Sequence, residues 1–244
     1  MKGINNTMKA VILAGGKGTR LAPYTKIFPK PLMPIGDMPI LELLLRQMKF
    51  AGVEHAILTV GHMAEMMRLF FQDGKRIGLQ ISYSYEEKPL GTAGPLSLIS
   101  GLEDTFLVSN GDVLTTLDLR ELVAFHHMHN AVATIAMHHR QVNINYGVLE
   151  LDGSFQVEGY VEKPTYDYMV SMGIYVFDPS ILDYITKNDY LDFPDLVKLL
   201  LCDGHKVVGF PFSGYWQDLG RPDDYEQAVK DFDDLKQKLL PNNN

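Results

Sequence analysis

Hydrophobic positions in the first half of the chain follow two alternating rhythms. The short apolar runs "AVILAG", "HAILTV" and "FLVSNGD" read as buried strands that close on glycine or polar residues, and "AVATIAM" reads as a further strand. Among them "MPILELLLRQMKFAG", "AEMMRLFFQDG" and "LRELVAFHHMHN" carry apolar residues at helical spacing, the first stopping at Gly52. "QISYSY" alternates as a half-buried strand should. Strands taking turns with helices predict an α/β fold, a parallel sheet with helices on both faces.

After about residue 140 the rhythm changes. "YGVLELDGSFQVEGYVEKP" predicts a hairpin around Asp152-Gly153, and "VSMGIYVFD" a further strand. Helices follow at "SILDYI" and "FPDLVKLLL", a strand at "KVVGFPF", and a closing helix at "PDDYEQAVKDFDDLKQKLL". No repeat or composition break divides the chain. The pattern predicts one domain over residues 8–240, with the strands of the second half covering the mouth of an active site. Residues 1–7, "MKGINNT", precede a second Met-Lys pair and read as an extension, and 241–244 as a polar tail.

Composition narrows the class. In 244 residues, 46% are hydrophobic and 21% charged, the balance of a soluble globular protein. No apolar run approaches the ~20 residues of a membrane span, and no signal-peptide pattern opens the chain. The single Cys202 excludes an intramolecular disulfide and a cysteine-based zinc site, and points to a reducing cytoplasm. A net charge of −8 argues against nucleic-acid binding. Yet no Asp or Glu precedes Asp37, while Lys2, Lys9, Lys17, Arg20, Lys26 and Lys30 all do. A basic segment in an acidic protein suggests a local anion site.

In an open parallel sheet, ligands sit beyond the carboxyl ends of the strands. Three polar clusters fall there: "GGKGTR", "NGD" and the turn after "SYSYEE". The glycine turn is not a P-loop, because Lys17 and Thr19 are wrongly spaced. It is not a dinucleotide turn either, since Leu21 occupies the third glycine position. Its backbone amides can still surround phosphate oxygens, with Lys17 and Arg20 adding charge. Lys30 lies between Pro29 and Pro31, whose fixed φ angles stiffen the chain around it; an incidental lysine in a surface loop is the plainer reading of that stretch alone. Asp112 ends a strand, and Asp218 of "YWQDLG" closes the last strand region. Two such carboxylates suit Mg²⁺, which takes few protein ligands and completes its shell on substrate phosphates. Singly, each is equally well a turn or helix cap. His126, His127, His129, His138 and His139 lack partnering cysteines and read as exposed or half-buried side chains. Met63, Met66 and Met67 read as helix core, and Asp231, Asp233 and Asp234 as a solvated helix face.

Taken in order, "LAGGKGTRL", "FPKPLMPIGDMPILE", "PLGTAGPL", "SNGDV", "YGVLE", "VEKP", "GIYVF" and "WQDLGRPDDYE" resemble the sugar-1-phosphate nucleotidyltransferases, the NDP-sugar pyrophosphorylases, from Met8 to about Phe232. The likeness is greatest to bacterial single-domain enzymes akin to mannose-1-phosphate guanylyltransferases. It implies a Rossmann-like mixed, mostly parallel sheet, and the reaction of an NTP with a sugar 1-phosphate to give NDP-sugar and pyrophosphate. It also implies that Gly15 and Gly16 offer backbone amides to the nucleotide, within a set that includes Leu13, Ala14, Lys17, Gly91, Thr92 and Asn110. Arg20 would bind the triphosphate and Lys30 the α-phosphate and incoming phosphate; Asp112 and Asp218 would hold Mg²⁺. Lys163 would grip the sugar phosphate, Glu162 the sugar hydroxyls, and Gly147 would give a backbone contact beside Tyr146. Many relatives carry asparagine where this chain has Ser171, which puts that sugar contact in question. The sugar phosphate is already anionic, so the reaction needs neutralisation and positioning rather than a general base.

Glu86 and Glu87 stand where the family's loop faces the base. A carboxylate accepts the paired donors of guanine, which tilts the reading to GTP; both as solvated strand-end charges is an equal alternative. Thymidylyl, uridylyl or cytidylyl transfer, a silent NDP-sugar-binding regulator, and a cytidylyltransferase for an alcohol phosphate remain open. So do the sugar and a homo-oligomeric state.

Overall fold

The structure is a computed structural model and describes residues 8–240. The expected extension over 1–7, with Lys2, and the tail over 241–244 lie outside the described residues. The first half contains β1 (Met8–Leu13), β2 (Pro34–Ile35), β3 (Met38–Pro39), α1 (Ile40–Phe50), β4 (Val53–Val60), α2 (Ala64–Phe71), β5 (Gln80–Tyr85), β6 (Phe106–Asn110), β7 (Val113–Thr115) and α3 (Leu119–His129). The second contains β8 (Ala133–Asn143), β9 (Val148–Leu151), β10 (Val157–Val161), β11 (Thr165–Phe177), α4 (Phe193–Cys202), β12 (Val207–Phe212), β13 (Trp216–Asp218) and α5 (Pro222–Leu239).

Seven strands form the central sheet in the order β12-β8-β11-β6-β1-β4-β5. Every pairing is parallel except those of β11, which runs against both β6 and β8. The mixed, mostly parallel sheet is therefore as the sequence predicts. Side-chain alternation along β1 explains its two covered faces. Ala10 and Ile12 join α1, α2 and α3 residues such as Leu44, Phe71 and Leu122 in one core, whereas Val11 joins Phe106, Phe177, Phe193 and Leu196 in the other. A third cluster seats α5 through Ala228 and Phe232 against Ile40, Leu43 and Leu21.

Several local expectations change. β8, β11 and β12 extend the central sheet instead of covering a mouth; the far ends of β8 and β11, with the β9–β10 hairpin, project beyond it. "SILDYI" forms a 3₁₀ turn, Pro179–Tyr184, capped by Asp178, whose carboxylate accepts from Ser180 N–H at 2.9 Å. Only Met67 of the three helix methionines is fully buried, because Met63 precedes α2 in a left-handed conformation. His126 is buried and not half-exposed: its Nδ1 lies 2.9 Å from Thr134 Oγ1.

Burial, aided by the neighbouring His127, lowers the His126 pKa from 6.5 to about 4. The fold thus favours the neutral ring, and that preference is fully present above pH 6.5 and lost as pH falls towards about 4. We predict that acidification across this window costs the protein up to about 3 kcal/mol through this residue. Urea unfolding of wild type and His126→Gln at about pH 7 and about pH 5 checks it: the variant loses less stability between the two.

Candidate functional site

The carboxyl ends of β1, β4, β5 and β6 open into a cleft of about 760 Å³, within the usual range for small-molecule sites. Leu13, Gly15, Gly16, Lys17, Glu86, Glu87, Gly91, Thr92 and Asn110, all predicted to meet the nucleotide, line it, as does Asp112. Ala14 does not; it is buried behind the rim, its N–H donating to Thr59 O at 3.0 Å. The strand ends are tied together, with Gly111 N–H donating to Leu13 O at 2.9 Å.

One end of the cleft is set by Glu86. Its backbone N–H continues the β4 edge through Val60 O, 3.0 Å away. Its carboxylate turns inward and accepts from Leu90 N–H at 3.2 Å. A Cβ at residue 15 would stand 2.8 Å from Glu86 Oε1, so a side chain there would push this carboxylate from its place. Burial raises the Glu86 pKa, and the Leu90 N–H offsets part of the rise. Glu87, by contrast, is exposed. Both glutamates line the cleft, and Glu86 is the one held in its wall by a hydrogen bond.

Lys30 meets the cleft through Asp112, which lines it. It opens the 3₁₀ turn Lys30–Leu32 and is buried, so it is no incidental lysine of a surface loop. Gly18, in a left-handed conformation, packs the glycine-rich turn onto its stem. Its ammonium donates to Asp112 Oδ2 and lies 3.9 Å from Asp218 Oδ1. Sheet register explains the meeting of the two aspartates: Asp218 on β13 pairs with Val113 on β7, beside Asp112, and Leu219 N–H donates to Asp112 O at 3.2 Å. Burial raises the Asp218 pKa, helped by the charge of Asp112 and opposed by Lys30 and Arg20. Asp112 and Asp218 are the residues that could hold a divalent cation, which needs few protein ligands where substrate phosphates complete its shell. Among the described residues no cluster of three or more acidic, His or Cys side chains forms a metal site.

The sugar candidates form a separate group. Tyr160 OH occupies the space beside Gly147 that a side chain would need, and donates to Glu162 Oε2 at 2.9 Å. Glu162 Oε1 and Lys163 Nζ are 3.7 Å apart, and both side chains are exposed, as is Tyr146. Ser171, itself exposed, donates to Tyr175 OH at 3.1 Å. Among the described residues none of these hydrogen-bonds or ion-pairs with Lys30, Asp112 or Asp218. Tertiary structure also adds cleft residues that sequence reading missed. His62 follows the end of β4, where the strand-end rule could have found it. Tyr190 and Asp192 carry no local signal. Asp192 Oδ1 accepts from Thr92 N–H at 2.9 Å and Thr92 Oγ1 at 3.1 Å, and Thr92 Oγ1 accepts from Phe193 N–H at 2.8 Å. The hydroxyl of Thr92 therefore fastens the Gly91–Thr92 loop to the start of α4.

An α/β sheet whose strand ends hold a glycine turn, a buried lysine and paired aspartates defines a nucleotide-binding class, and the chain belongs to the nucleotidyl transferase family, whose model matches residues 9–234. Among relatives it is similar to a UTP–glucose-1-phosphate uridylyltransferase of Synechocystis, 36% identical over 91% of this chain and 63% of that one. It is as similar to a mannose-1-phosphate guanylyltransferase of Mycobacterium tuberculosis, 36% identical over 91% of this chain and 64% of the relative. The chain thus spans a little under two thirds of these relatives' length. Among solved structures, HddC from Yersinia pseudotuberculosis superposes with a TM-score of 0.71 at 26% identity, over 92% of this chain and 99% of that one. A glucose-1-phosphate thymidylyltransferase from Bacillus anthracis, described as putative, shares the fold with a TM-score of 0.73 at 24% identity, over 91% and 94% of the two chains. Among the described residues no helix is long and apolar enough to cross a membrane.

Because the fold raises the Asp218 pKa, ionised Asp218 opposes folding at pH values above its native pKa, and the penalty vanishes below the ordinary value of 3.8. We predict that Asp218→Asn, in chelator, raises Tm at neutral pH, with the gap closing on acidification. Calorimetric melts across pH check this; a lower Tm at neutral pH would contradict it.

Proposed function

We propose that this protein transfers a nucleotidyl group from an NTP, with GTP preferred, to a sugar 1-phosphate, releasing pyrophosphate with Mg²⁺ as cofactor. The observation that carries the reading is the meeting of Lys30, Asp112 and Asp218 beside a cleft lined by the glycine turn. Family membership supports the reaction class, and relatives named for guanylyl and uridylyl transfer support a sugar phosphate acceptor.

The residues divide the work by charge. Amides around Gly15 and Gly16 receive phosphate oxygens, with Lys17 at the rim of the cleft and Arg20 in the smaller pocket beside Asp218. Lys30, fixed by its burial and its aspartate partners, neutralises the α-phosphate so that a second anion can approach in line. Asp112 and Asp218 would hold the Mg²⁺, which supplies further charge to the phosphates when bound. Lys163 and Glu162, exposed on the hairpin arm, take the phosphate and hydroxyls of the sugar. No general base is required, because the nucleophile is a phosphate oxygen that is already charged.

GTP preference rests on Glu86. Its inward carboxylate can accept from the ring N–H and the exocyclic amine of guanine together, whereas uracil and thymine offer one donor flanked by carbonyls. Residues 8–240 are read as one catalytic domain.

Incubation with each NTP, Mg²⁺ and a panel of sugar 1-phosphates, following pyrophosphate release, tests the reaction; release with no pair would sink it. Asp112→Asn is expected to cut turnover on the order of 10²–10³-fold. Glu86→Gln is expected to lower kcat/KM for GTP by roughly tenfold or more while changing that for UTP much less. Equal losses for both nucleotides would remove Glu86 from base selection.

A further inference from the structure

Next to the Lys30 junction, and sharing Asp218 with it, lies a small second pocket of about 200 Å³. Asp218 borders it, and so do Arg20, Arg140 and Arg221, which come from three distant parts of the chain. Arg20 belongs to the 3₁₀ turn after the glycine loop, Arg140 to the projecting end of β8, and Arg221 to the cap of α5. Three guanidinium groups facing one concavity repel each other unless something negative sits among them.

Asp218 and Asp224, which also line the pocket, offset part of that repulsion, but neither accepts a hydrogen bond from any of the three guanidinium groups. Asp218 is engaged with Lys30, and Asp224 Oδ1 accepts from Gln217 Nε2 at 2.8 Å. Among the described residues none of the three arginines forms an ion pair or donates a side-chain hydrogen bond. The geometry is also built closely: a Cβ on Gly220 would lie 3.3 Å from both Arg20 Nη2 and Asp218 Oδ2, so a glycine lets the guanidinium and the carboxylate lie side by side. At about 30 Å³ per water, the pocket has room for a phosphoryl group with its remaining solvent.

We propose that Arg140 and Arg221 join Arg20 in an anion pocket that receives phosphate groups next to the Lys30–Asp112–Asp218 junction. Guanidinium forks match phosphate oxygens in pairs, which lysines do not. The shared chemistry has two sources: the pyrophosphate end of the NTP, which leaves after transfer, or the phosphate of the sugar. The choice of substrates rests on the nucleotidyl-transfer reading; the pocket itself does not.

The test measures binding of inorganic pyrophosphate and of inorganic phosphate to the full chain by calorimetry. Wild type is compared with Arg140→Gln, Arg221→Gln and Arg140→Lys, and KM for each substrate of the active pair is then determined. All three substitutions are on exposed side chains, and melts verify folding. Each Gln variant is expected to weaken anion binding by roughly tenfold or more, and Arg140→Lys by less. A rise confined to pyrophosphate Kd and NTP KM assigns the pocket to the triphosphate. A rise confined to phosphate Kd and sugar 1-phosphate KM assigns it to the sugar phosphate. Both outcomes support the pocket, whereas unchanged anion binding and unchanged KM values in both Gln variants overturn it. Arginine-dependent pyrophosphate binding without turnover of any substrate pair would support the pocket and count against the transferase reading alone.

Discussion

The buried ammonium of Lys30, held against Asp112 and within reach of Asp218, organises the chemistry of this molecule. It joins three pieces of chain: the segment after the glycine turn, the end of β6, and β13. A charged amine is costly to bury unless carboxylates meet it. Two carboxylates pressed together need a cation in turn. Each group is tolerable because the others are present, and the cluster stands at the rim where the nucleotide cleft and the arginine-lined pocket meet.

Around that centre the charges are segregated by function. The sequence up to Asp37 is free of acidic residues, and from it come Lys17, Arg20 and Lys30, all on the phosphate side of the site. Acidic groups of the remaining chain enter at particular points: Asp112 and Asp218 beside Lys30, Glu86 against Leu90 N–H, and Asp192 bracing Thr92. A net negative protein can thus present a local positive surface, which draws phosphate anions without a general affinity for polyanions.

The bracing by Asp192 shows how a loop is made specific. Tyr190 OH donates to Asp192 Oδ2 at 2.6 Å, and these bonds hold the Asp192 carboxyl below its ordinary pKa. The loop carrying Gly91 is then pinned to the start of α4, while Glu86 accepts from Leu90 within the same turn. One wall of the cleft is thereby fixed by polar contacts laid over the apolar packing of Ala93, Leu96 and Phe193.

Most of the sheet was legible in the sequence, because buried strands are short apolar runs and helices repeat every three to four residues. So were the strand-end clusters, since position in an α/β sheet predicts where ligands sit. The 3₁₀ turn at Pro179–Tyr184 was not, as one short apolar run serves either kind of helix. The burial of His126 also depends on what packs over it. Asp192 could not be found, because its partner Thr92 lies 100 residues away, and Tyr190 reaches the cleft beside it. By itself the sequence determined the strand and helix pattern, the residue types at the phosphate turn and the absence of any cysteine-based site. Only tertiary structure decided that Glu86 is half-buried against Leu90 while Glu87 lines the cleft from an exposed position, that Asp218 lies beside Asp112, and that three arginines share a pocket. Those facts depend on strand register and on side chains meeting across distant segments, which no local pattern encodes.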